Sequence, residues 1–165
     1  MIVNGKSLLI AAPIKDMERS KIKSHGVSFG LGEAGYDIRI AQHICFRPQD
    51  RVTEIMIKDE HDVEPGNFML ASAMERFQMP DNLVGIVHDK STWARRGVSV
   101  FNTVIEPGWK GYLTLELVYH GGVELVIPAG SGIAQVVFHL TTDPAQYTGR
   151  YQNQPSNPVE AIEAF

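Results

Sequence analysis

From residue 36 onward the chain repeats one pattern: a short run of alternating apolar and polar positions, then a turn. "YDIRI" (36–40) alternates, "HICFR" (43–47) is short and rich in strand formers, and "RVTEIMI" (51–57) sets Val52, Ile55 and Ile57 among polar residues. "NFMLAS" (67–72), "LVGIVH" (83–88), "VSVFNTVI" (98–105), "GYLTLELVY" (111–119), "VELVIP" (123–128) and "IAQVVFHL" (133–140) continue it. Turn residues separate them: "EPG" at 64–66, "MPDN" at 79–82, "EPGWKG" at 106–111, "HGG" at 120–122 and "PAGSG" at 128–132. Period-two alternation puts successive side chains on opposite faces of a sheet. Many short strands at even spacing predict an all-β fold with minor helices, a barrel or a sandwich. The best helix candidate is the charged stretch from about Pro13 to Lys23, with a thin apolar face of Met17 and Ile22. Gly26, Gly30, Gly32 and Gly35 then predict a loop.

After Thr141 the character changes. "DPAQYTGRYQNQPSNPVEAIEAF" is polar, dotted with aromatics and prolines, and cannot build a core of its own. It is expected to be disordered or to lie on a surface. The rest, with 165 residues in all, suits one domain. A hydrophobic share of 44% fits a soluble globular protein. The net charge of −4 argues against a general nucleic-acid binder. The lone cysteine, Cys45, excludes an internal disulfide and a zinc site built on several cysteines. No run reaches the ~18 apolar residues of a membrane span. The N-terminus lacks the pattern of a signal peptide, so a cytoplasmic protein is expected.

Three stretches could carry chemistry. In "DKSTWARRG" (89–97), Ser91 or Thr92 could cap a helical turn whose free amides face an anion. Lys90 and Arg95 would add donors, Arg95 as a bidentate fork. A polar helix start with solvated charges reads equally well. In "GYLTLELVY", alternation sets Tyr112, Thr114, Glu116 and Val118 on one face and Leu113, Leu115 and Leu117 on the other. Glu116 is then either a glutamate on a wet face or a half-buried carboxyl with a raised pKa, suited to carrying a proton near neutral pH. In "NTVIEPGWKG", Glu106, Pro107 and Gly108 make a turn, and Trp109 packs or stacks on a base. Asp37 in "AGYDIRI" reads as a turn or hydrogen-bonding element. The six histidines show no i, i+4 metal pair, and no serine-hydrolase, P-loop or Rossmann motif occurs.

Together, "AGYDIRI" (34–40), "FMLASAMERFQMPDNLVGIVHDKSTWAR" (68–95), "IEPGWKGYLTLEL" (105–117), "IPAGSGIAQVVF" (127–138) and "YTGRYQNQ" (147–154) stand in the order found in dCTP deaminases, which this chain resembles over nearly its whole length. The resemblance implies a distorted antiparallel β-barrel or jelly-roll of the dUTPase-like type. It implies a homotrimer with active sites between subunits, and hydrolytic deamination without zinc. It makes Glu116 the proton shuttle, with Ser91 and Arg95 holding the attacking water. Lys90 and Thr92 match phosphate-contacting positions, and Asp37 a structural one or one near metal-bound phosphates. Asn102 and Thr103 fall on the wall facing the base. Glu106 and Trp109 complete the pocket, and Tyr147, Arg150 and Gln154 belong to a tail (142–165) that closes over the triphosphate. Mg²⁺ is expected on the nucleotide phosphates.

The chain departs from the family pattern in three places. The usual Ser-Ser pair is Ser91-Thr92, the segment between Arg95 and Glu106 is about two residues short, and Glu106 replaces an aspartate. Glutamate keeps the charge but shifts it by one methylene, so efficient dUTP hydrolysis is not expected. Three functions follow as hypotheses: dCTP deamination; dUTP hydrolysis, alone or after deamination; and nucleotide binding without turnover. The altered base wall leaves room for another or a modified cytosine deoxynucleotide.

Overall fold

The computed structural model describes residues 1–163. In chain order its elements are β1 (Ile2–Val3), α1 (Gly5–Ala11), β2 (Lys21–Ser24), β3 (Val27–Leu31), β4 (Tyr36–Arg39), β5 (His43–Arg47), β6 (Val52–Ile57), β7 (Glu60–Pro65), β8 (Phe68–Gln78), β9 (Leu83–Asp89), α2 (Ser91–Ala94), β10 (Val98–Val100), β11 (Val104–Ile105), β12 (Lys110–Tyr119), β13 (Leu125–Ile127) and β14 (Gly132–Leu140). The strands form three antiparallel sheets: β11-β9-β14-β4-β3-β2 with β1 beside β14, β10-β12-β8, and β13-β5-β6-β7. The all-β expectation holds, in jelly-roll form, with the sheets not closed into a true barrel.

Alternation explains where the core sits. Ile38, Ile44, Phe46, Phe77, Leu115, Leu117, Val136 and Phe138 are fully buried between the sheets. Each such side chain contributes on the order of 1.5–3 kcal/mol on burial. A charged pair ties β4 to β8 at the edge of the core: Glu75 of β8 accepts from the backbone N–H and from Nε of Arg39 of β4, each at 2.8 Å. Burial pushes the Glu75 carboxyl above its ordinary range, against the opposing pull of Arg39.

The structure corrects four local expectations. The stretch 13–23 is not a helix. Gln78 N–H donates to Pro13 O, Lys15 N–H donates to Arg76 O, and Asp16 takes a positive φ. The end of β8 thus claims the backbone that a helix would need. The N-terminal helix is α1 instead, which buries Leu8. The glycine-rich loop contains β3, where Val27 and Phe29 are buried. Gly35 is required there, because a Cβ would stand 2.1 Å from Val136 O. Residues 64–65 end β7, and Gly66 and Asn67 make the turn. Finally, "VSVFNTVI" breaks at 101–103 into β10 and β11, which join different sheets.

Candidate active site

A cavity of about 620 Å³ opens beside β12. Its floor is Leu113, Thr114 and Glu116, and one wall is the 102–106 segment, with Asn102, Thr103 and Glu106. The register between β8 and β12 slips between Tyr112 and Thr114. This bulge breaks the strict alternation, so Leu113 faces the cavity together with Thr114 and Glu116. Phe68 and Leu70 of β8 add an apolar side. The Glu116 carboxylate has no hydrogen-bond or ion-pair partner among the described residues, and burial alone pushes its pKa up. Desolvation of this kind makes a carboxyl hold its proton more tightly.

The tail forms the remaining wall. Tyr147 N–H donates to Pro107 O at 2.8 Å, and Tyr112 N–H to Gln154 O at 3.1 Å. Trp109 Nε1 donates to Tyr151 O at 2.7 Å. Ser72 Oγ donates to Ser156 O at 2.7 Å, and Val159 N–H to Thr114 Oγ1 at 3.1 Å. The tail lies along this chain's own surface, with bonds as far as Ile162. Residues 164 and 165 lie outside the described residues. Tyr147, Tyr151, Gln154 and Val159 line the cavity; Arg150 does not, and its guanidinium donates to Ile162 O at 2.6 Å. Trp109 is buried, packed on Phe77 with ring centroids 6.0 Å apart, and also borders the cavity.

The remaining predicted residues stand elsewhere. Asp37, Lys90, Ser91, Thr92 and Arg95 do not line the Glu116 cavity. The 91–94 segment is one helical turn, as one reading of the sequence held. Lys90, extended and without a side-chain cap bond, occupies its N-cap position, rather than Ser91 or Thr92. Ser91 and Arg95 are exposed, and Thr92 is partly so. Lys90 is buried, and its ammonium donates to Asp37 at 2.5 Å. Trp93 packs inward, with Arg96 lying 5.2 Å over its ring. The cavity residues that sequence reasoning missed include Phe68, Leu70, Leu113, Thr114, Tyr151, Val159 and Glu160. Only Thr114 carried a signal, sharing the Glu116 face by alternation.

A family model described as dCTP deaminase-like matches residues 6–141. The chain belongs to the dCTP deaminase-like family. It is 36% identical over 145 residues to a dCTP deaminase of Protochlamydia amoebophila, covering 78% of this chain and 77% of that protein. It is 33% identical over 160 residues to a dCTP deaminase of Roseiflexus castenholzii, covering 86% of each. Among solved structures it is similar to the dUTPase of Staphylococcus bacteriophage 80alpha, with a TM-score of 0.53, 15% identity, and coverage of 83% of this chain and 94% of that one. The EIAV dUTPase gives 0.52 at 16% identity, covering 86% of this chain and 95% of that one. At these identities the likeness to the dUTPases concerns the fold alone.

Proposed function

We propose that this protein is a hydrolase acting on a C–N bond, converting dCTP to dUTP and ammonia. The observation that carries the reading is Glu116: a half-buried carboxyl with a raised pKa and no partner among the described residues, on the floor of a cavity large enough for a nucleoside. Water adds to C4 of the cytosine ring. Glu116 takes the water proton and delivers it to N3, then passes the second proton to the departing amine. Such acid–base work contributes ~10²–10⁴-fold.

Ser91 and Arg95 orient the water and steady the developing charge. Their absence from the lining of the Glu116 cavity within one chain supports a site shared between copies, as in a homotrimer: Glu116 from one subunit, Ser91, Thr92 and Arg95 from the next. Asn102 and Thr103 face the base, and Tyr147 and Gln154 hold the tail over the nucleotide. Arg150 is a candidate contact to the triphosphate. Among the described residues no three His, Cys, Asp or Glu side chains come together as a metal-ligand set. Mg²⁺ in this reading arrives on the phosphates of the substrate, where it offsets their charge. No helix among the described residues is long and apolar enough to cross a membrane; the reading puts the enzyme with the cytoplasmic nucleotide pool.

The test is ammonia release from dCTP with Mg²⁺, with pyrophosphate release scored separately. Ammonia without pyrophosphate is expected. Turnover by Glu116→Gln at the wild-type rate would refute the proton-shuttle role. Pyrophosphate from dUTP would instead assign hydrolytic work to Glu106, which borders the same cavity.

A further inference from the structure

Lys90 opens the turn that carries Ser91 and Arg95, yet its side chain points into the protein. Its ammonium donates to Asp37 Oδ2 at 2.5 Å, and the two side chains are only 10% and 4% exposed. Asp37 sits on β4, in register with Gln135 of β14. The lysine stem lies close over Gly132, where an added Cβ would come within 3.3 Å of Lys90 Cε. Three residues further along the turn, Trp93 Nε1 donates to the carbonyl of the same Gly132 at 2.7 Å. The one-turn helix α2 is thereby held to the β4–β14 ladder at two points, one ionic and one neutral. Ser91 and Arg95, on the outer side, remain exposed.

A short, exposed turn has little packing of its own to hold its side chains in place. Buried charge pairs add little to stability, but breaking one leaves an uncompensated charge in the interior. An ammonium so placed cannot swing out to a phosphate without stranding the Asp37 carboxylate. We propose that Asp37 and Lys90 are a positioning pair: they set where Ser91 and Arg95 stand, and Lys90 takes no part in binding the substrate phosphates. The proposal rests on the reading that Ser91 and Arg95 serve the deamination, and it reverses the phosphate role that family resemblance gives Lys90.

The test compares Lys90→Met, Asp37→Asn and the double variant in the full chain. It reads kcat and KM for dCTP and for dCMP, and the solvent exchange of the Trp93 indole N–H. That signal is told from Trp109 by a Trp109→Phe control. For Lys90→Met, kcat is expected to fall about 100-fold, the scale of a small misplacement at a reacting centre. KM for dCTP should stay within about threefold, and the Trp93 indole should exchange faster. In the double variant no charge is left unpaired, so indole protection and at least about tenfold of the lost kcat should return. If Lys90→Met does not fold, the double variant carries the comparison alone. A KM for dCTP raised about 100-fold in both variants, with dCMP little affected and the indole still protected, would overturn the proposal and make Lys90 a phosphate ligand. Lost turnover in every variant with unchanged indole exchange would overturn it too. If the wild type releases no ammonia from any cytosine nucleotide, the deaminase reading falls. The indole exchange then still decides whether the pair holds the turn.

Discussion

Asn102 Nδ2 donates to the carbonyl oxygen of Thr114 at 2.7 Å, two residues along β12 from Glu116. This bond stitches the short 101–103 segment to the cavity floor and fixes which way the amide points. Its other end, Oδ1, is buried without a partner among the described residues. Asn102→Ala removes a bond and an unsatisfied acceptor together, so unfolding free energy should change by less than about 1 kcal/mol. Asn102→Asp sets a carboxylate oxygen against the Thr114 carbonyl and should cost about 2–3 kcal/mol. Denaturant unfolding of the two variants checks the order; equal losses would mean that the bond does not hold the wall.

Glu116 should leave a signature in both rate and stability. Its pKa is raised above the ordinary 4.5 by burial. The folded state therefore holds more protons than the unfolded one between those two values, and this group's contribution to stability falls as pH rises through that window. Glu116→Gln removes the effect. The variant should gain in melting temperature over wild type as pH goes from 4 to 7, while turnover drops by ~10²–10⁴-fold. The acidic limb of kcat/KM in the wild type should sit above pH 4.5. A limb at or below that value would contradict the buried-carboxyl account.

Site sharing predicts complementation. Glu116→Gln and Arg95→Ala are each expected to be inactive as pure proteins. If an active site takes Glu116 from one subunit and Arg95 from the next, unfolding the two variants together and refolding them should restore about a quarter of wild-type activity. No recovery in mixed oligomers, verified by mass, would show that each site is built within one chain.

The tail depends on a buried relay. Ser72 is fully buried; it accepts from Gln42 Nε2 at 2.8 Å and donates to Ser156 O at 2.7 Å. Ser72→Ala strands the Gln42 side-chain N–H and removes the tail's anchor at Ser156, at a cost of about 1–3 kcal/mol. Limited proteolysis should then cut between residues 150 and 160 sooner than in wild type. KM for dCTP should rise more than kcat falls, because the released wall contributes binding.

Much of this was legible along the chain, because alternation is local. A strand buried on one face must place apolar residues at every second position, and β6, β9, β12 and β14 were visible in that way, while β5 showed only as a run of strand formers. The same logic put Thr114 and Glu116 on one face. Strands β3 and β7 were hidden because glycines, prolines and charges there look like loop, and only neighbours across the sheet make them strands. The Pro13–Lys23 helix failed for a similar reason: Pro13 and Lys15 bond to β8 more than sixty residues away, and Lys21–Lys23 pair with β3.

By itself, the sequence determined the fold class, the family, and Glu116 as the residue to watch. The tertiary structure alone decided three further points. It turned Leu113 into the cavity through a bulge, committed Lys90 to an aspartate 53 positions away, and seated the tail against β8 and β12. Each depends on contacts between distant segments, and their geometry is set by how the sheets pack rather than by any local pattern of residues.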